Sequence, residues 1–95
     1  MNWFEVIHLR ITERETEKFV PIVQQLVGEA VEEGSCREIK MYRRALVDTD
    51  LSILLYHDTI KMEKNGSSLG LRITSALKEY GMVNHMTWFE VHSSQ

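Results

Sequence analysis

With 95 residues, 43% hydrophobic and 26% charged, the chain has the make-up of one ordinary globular domain, residues 1–95. A formal charge of −3 excludes the basic footprint of a general nucleic-acid binder, and no apolar run nears the roughly 20 residues that span a bilayer. The single cysteine, Cys36, excludes an intrachain disulfide and argues against a cysteine-based zinc site; no basic-then-apolar leader opens the chain, so the expected setting is cytoplasmic.

Residues 3–11 alternate as a strand, with Ile7, Leu9 and Ile11 on one side and Phe4, Val6, His8 and Arg10 on the other. Thr12 and Glu15 have the spacing of a capping box, and Glu13, Glu15 and Glu17 suit a helix N-terminus. Phe19, Val23, Leu26 and Ala30, flanked by Val20, Val27 and Val31, then form an apolar helical face. Pro21 requires either a bend or a helix that starts near Lys18, and Gly34 is expected to end it. Residues 37–46 alternate again, Ile39 and Met41 against Lys40, Tyr42 and Arg44. A polar turn, Val47–Asp50, leads into a strand over Leu51–His57 that pairs back as a hairpin. After the turn signal Asn65-Gly66, Ser67 or Ser68 caps a second helix striped by Leu69, Ile73, Ala76, Leu77 and Tyr80. Gly81 is expected to close this helix, and Val83–Val91 makes the last strand.

The order strand, helix, strand, strand, helix, strand predicts a ferredoxin-like β-α-β-β-α-β sandwich. In this α+β fold a four-stranded antiparallel sheet carries both helices on one face. Alternation assigns Ile7, Leu9, Ile11, Ile39, Met41, Ile53, Leu55, Phe89 and Val91 to the helix side. The other face mixes Phe4, Val6, Leu54, Tyr56, Met86 and Trp88 with His8, Arg10, Lys40, Tyr42, Arg44, Asp58 and Glu90. It is too apolar for a washed surface and too charged for a core. Two such faces pressed together in a symmetric homodimer would bury the aromatics around a lined cavity.

With that element order, the half-polar face, and the closing segment Ser68-Leu69-Gly70-Leu71, Gly81-Met82-Val83-Asn84-His85 and Trp88, the chain resembles the dimeric α+β barrel superfamily. Its best-known branch is the antibiotic biosynthesis monooxygenase-like proteins, and the match is to small uncharacterised members. The resemblance implies the same fold and a ligand in the sheet cavity; the superfamily includes oxygenases, haem-degrading enzymes, isomerases, decarboxylases and proteins with no known activity. The familiar oxygenase pattern places a Trp late in the third strand and a His in the following helix. Here that strand ends Leu55-Tyr56-His57-Asp58 and the helix has no His, a departure from the oxygenase pattern that weighs against that activity.

The candidate site residues lie on the mixed face. His8 and Arg10, two apart on one strand, pair a proton-transfer imidazole with an anion-binding guanidinium; the plain alternative is a hydrogen-bond network that fixes dimer register. Tyr42, Tyr56 and Trp88 either stack on a planar ligand or anchor the subunit contact. His57 and Asp58, adjacent in sequence, point apart and make no dyad. His85 faces away from Trp88 and caps the core, a metal-ligand role lacking a second ligand at suitable spacing. Gly66-Ser67-Ser68 before a helix is a phosphate-loop candidate, with simple capping as the alternative. No metal or cofactor is expected. The leading expectation is a homodimer binding a small aromatic or anionic metabolite, as a metal-free enzyme or as a structural or ligand-sensing dimer. A single-strand nucleic-acid binder using Tyr42, Tyr56 and Trp88 would need a ribonucleoprotein-type motif that Leu51–Asp58 lacks.

Overall fold

The computed structural model describes residues 2–12, 16–34, 36–92 and 94. Strand β1 (Trp3–Ile11) is followed by a 3₁₀ turn (Thr16–Lys18), helix α1 (Phe19–Glu33), strands β2 (Glu38–Arg43) and β3 (Asp50–His57), helix α2 (Ser68–Leu77) and strand β4 (Gly81–Phe89). The sheet order is β2-β3-β1-β4 and every pairing is antiparallel, which is the ferredoxin-like arrangement. The capping pair Thr12–Glu15 falls on residues outside those described.

Pro21 is accommodated by the second of its two options. Helix α1 begins at Phe19, so Pro21 sits in the first turn, where its missing N–H would have had no partner in the helix. Gly34 closes α1 in the left-handed region at φ 66°, donating its N–H to the Val31 carbonyl. At α2, Ser67 is the cap and its hydroxyl accepts from the Gly70 N–H.

Helix α2 stops at Leu77, and Gly81 opens β4 instead of closing the helix. Its glycine identity answers a different need: a Cβ there would lie 2.0 Å from the Arg10 carbonyl oxygen.

The core lies between the helices and one sheet face. Ile7, Leu9, Ile11, Leu51, Ile53 and Leu55 from the strands meet Val23, Ala30, Leu69, Ile73 and Leu77. Two residues assigned to that side behave otherwise. Phe89 is 52% exposed and Val91 84% exposed, although Phe89 pairs with the buried Trp3. Phe89 is the last residue of β4 and Val91 lies beyond the strand, so right phase does not bring them cover. Val31 on α1 is likewise exposed.

Candidate functional site

The opposite face of the sheet has no helix over it, and the strand register arranges its side chains in rows across the strands. At one end Glu38, Tyr56, Phe4 and Trp88 lie abreast. Next come Lys40, Leu54, Val6 and Met86, then Tyr42, Ser52, His8 and Asn84. At the far end Asp50, Arg10 and Met82 are joined by Arg44, whose backbone N–H donates to the Asp50 carbonyl. The face therefore grades from aromatic to charged over about 20 Å, six residues of strand rise. Trp88, Met86, Met82 and Tyr42 are exposed, and Phe4, Val6, Leu54 and Tyr56 are half-buried.

The charged end centres on Asp50, which is 1% exposed. Arg10 donates through Nε at 3.0 Å and Nη2 at 3.1 Å, Arg44 through Nη1 at 3.1 Å, and Thr49 through its hydroxyl at 3.0 Å. His8 Nε2 lies 3.1 Å from the same carboxylate. These donors, the Arg10 contact foremost, hold the Asp50 carboxyl well below the usual carboxylate range despite its burial. The two arginines that cover Asp50 are themselves open to water, with 52% of the Arg10 side chain and 59% of the Arg44 side chain exposed. His8 and Arg10 are thus brought together, as alternation places them, by an aspartate that sequence reading assigned to a turn.

At the aromatic end, Phe4 and Tyr56 rings tilt together at 5.7 Å and Lys40 Nζ lies 5.9 Å from the Tyr56 ring centre. Burial pushes the Tyr56 phenol up, and the neighbouring Tyr42 adds to the shift. Tyr42 and Tyr56 are therefore neighbours, and Trp88 is reached from Tyr56 across Phe4.

A second polar constellation lies on the helix side and escaped the sequence reading. Glu5 is fully buried; its carboxylate accepts from two donors of Ser67 and faces two histidine rings. Oε1 accepts from the Ser67 N–H at 3.0 Å and faces His85 Nε2 at 2.8 Å. Oε2 accepts from the Ser67 hydroxyl at 2.5 Å and faces His57 Nε2 at 2.7 Å. The strands and α2 are thereby tied at one carboxylate, which occupies the α2 N-terminus, where free amides and the helix dipole favour an anion. The internal anion fills the place that a phosphate would take, and Ser67 acts as cap and donor together. Gly66 and Gly70 are the socket walls: a Cβ on Gly70 would lie 2.0 Å from Glu5 Oε1, and one on Gly66 2.1 Å from the His85 ring.

His57 is stacked on Trp3, with ring centres 4.0 Å apart, and the Trp3 indole N–H donates to the Thr59 hydroxyl at 2.9 Å. Asp58 is exposed, so the adjacent pair is indeed no dyad. Cys36 is half-buried; its thiol donates to the Glu38 carbonyl at 3.6 Å and burial pushes its pKa up, which describes a packed thiol rather than an activated one. No cluster of three or more metal-ligating side chains suited to an ion is found among the described residues, nor a helix long and apolar enough to cross a membrane.

The Glu5 constellation could have been suspected from one signal. Trp3 and Glu5 continue the in-phase series Ile7, Leu9, Ile11, so a carboxylate falls on the core side. Its partners, 52, 62 and 80 residues away in sequence, carry no local signature.

No protein-family model and no curated protein matches the chain. Among solved structures, a Mycobacterium tuberculosis protein superposes with TM-score 0.70 at 12% identity, covering 100% of both chains. A conserved Methanosarcina mazei protein gives 0.67 at 16%, covering 93% of this chain and 91% of its own. A Bordetella bronchiseptica protein, provisionally assigned as an antibiotic biosynthesis monooxygenase, gives 0.65 at 10%, covering 96% and 98%. What these likenesses establish is the fold: the chain is a ferredoxin-like α+β sandwich.

Proposed function

We propose that the chain is a homodimer, closed through its open sheet faces, that binds a small aromatic or anionic metabolite between them. The observation that carries this reading is the row pattern of the uncovered face. Exposed Trp88, Met86 and Tyr42 beside half-buried Phe4, Val6 and Leu54 make an apolar field of the type that marks interfaces and binding grooves. The charged row at its end supplies polar groups that orient a ligand. Trp88, Tyr56 and Tyr42 then serve as stacking surfaces. His8, held against Asp50 by one ring nitrogen, is the candidate for proton transfer, and Arg10 for charge stabilisation. The solved Bordetella bronchiseptica neighbour, provisionally assigned as a monooxygenase, fits a small-molecule role. A dimer without catalysis is the alternative, favoured by one fact: Arg10 is already committed to Asp50 by two hydrogen bonds, as a register-setting network would be.

Amide and indole NMR shifts during titration with indole and benzoate test the reading. Shifts concentrated at Val6, His8, Leu54, Tyr56 and Trp88 support it. Shifts confined to the helices, or none with either probe, refute it.

A further inference from the structure

Arg44 and Arg10 share one carboxylate but are not equivalent. Arg10 spends Nε and Nη2, the side edge of its guanidinium, on Asp50. Arg44 spends only Nη1, at 3.1 Å. Among the described residues no other hydrogen bond engages the Arg44 side chain, so its Nε–Nη2 edge, the fork that matches two coplanar oxygens, is not spent on the aspartate. The head is held by a nearly buried acceptor while 59% of the side chain remains open to solvent. Two guanidiniums against one carboxylate leave a single positive charge among these three side chains. Lys40 and Glu38, two rows and more away, lie 3.6 Å apart and offset each other.

Resting on the reading of the open face as a ligand surface, we infer that Arg44, positioned by Asp50, is the residue that recognises the ligand's anionic group, and that this group is a carboxylate. One net positive charge matches a monoanion better than a phosphate dianion. The planar fork matches two carboxylate oxygens. Asp50 is a positioning residue here: it aims Arg44 and makes no contact with the ligand. Arg10 sets the local charge, its own fork being occupied.

Binding of benzoate, phenyl phosphate and benzamide is measured by NMR titration on the full chain, for the parent and for Arg44→Lys, Arg44→Gln, Asp50→Asn and, as a remote control, Arg72→Lys. Benzoate binding should weaken about tenfold or more in both Arg44 variants, because a lysine keeps the charge and loses the fork. Benzamide should bind the parent more weakly than benzoate, and Arg72→Lys should change nothing. Asp50→Asn separates two accounts: simple attraction predicts tighter benzoate binding once a negative charge is gone, whereas the positioning role predicts weaker binding. Arg44 is exposed, so its variants report even where Asp50→Asn fails to fold. Benzoate binding to Arg44→Lys within about threefold of the parent overturns the inference, at odds with loss of a bidentate contact. Arg44-dependent binding of phenyl phosphate in preference to benzoate overturns the choice of carboxylate. If indole still shifts the open-face signals while benzoate ignores Arg44, only this inference falls; if neither probe touches the face, the ligand-surface reading falls with it.

Discussion

Replacing Glu5 by alanine removes a buried carboxylate that four groups address. The Ser67 hydroxyl can rotate and His85, 12% exposed, can be reached by water, so neither is counted fully. The Ser67 N–H and the His57 ring, 4% exposed, are left without an acceptor inside the protein. A buried polar group without a partner costs about 1–3 kcal/mol, so two give about 2–6 kcal/mol. Breaking a buried charged network by removing one member costs about 3–5 kcal/mol, in the same range. The expected loss is therefore about 3–5 kcal/mol, a large share of the roughly 5–15 kcal/mol that holds such a domain together. At about 4–8 °C per kcal/mol for a domain near this size, melting should fall by at least about 12 °C. Glu5→Gln keeps the volume but presents an NH₂ where an oxygen met donors, so its loss should be smaller, about 1–3 kcal/mol. Urea unfolding followed by tryptophan fluorescence measures both variants, Trp3 lying directly on His57. A Glu5→Ala loss under about 1 kcal/mol, or a glutamine variant as stable as the parent, would refute the claim that the carboxylate pins α2 to the sheet.

Two further outcomes follow from close contacts and charge. Gly70→Ala should destabilise by about 1–3 kcal/mol by urea unfolding although alanine is the better helix former, because its Cβ would meet Glu5 Oε1 at 2.0 Å; a stabilised variant would show the socket to be loose. For Asp50, the folded carboxyl titrates below its unfolded value near 3.9, so its contribution is present above that value and lost as pH falls through the lower folded one. As pH falls below about 4, the stability gap between the parent and Asp50→Asn should shrink. A gap that stays constant to pH 3 contradicts the pairing.

Much of the architecture is legible in the sequence because periodicity is a local signal. Alternation from Phe4 to Arg10 sorts β1 correctly, and Gly34 and Ser67 mark helix ends by chemistry that one turn of chain contains. Gly81 misleads because a glycine near a helix end also serves wherever two backbones approach, here at the Arg10 carbonyl. Phe89 and Val91 mislead because phase reports a side and not a cover. The His8–Arg10 pair is visible as two residues on one face, while Asp50, their shared acceptor 40 residues beyond Arg10, reads as part of a polar turn until β3 is laid beside β1. Glu5 is the hardest case: charge argues for solvent, and only distant His57, Ser67 and His85 make its burial tolerable.

Light scattering on the full chain at micromolar concentration tests the central claim most directly, with Trp88→Asp measured beside the parent. The parent should have twice the 11.1 kDa of one chain. The variant, which puts a charge among the aromatic residues at one end of the face, should shift toward the single-chain mass while keeping its helix and strand content by circular dichroism. A parent that stays at 11.1 kDa, or a variant that remains fully dimeric, would contradict closure through the open sheet face.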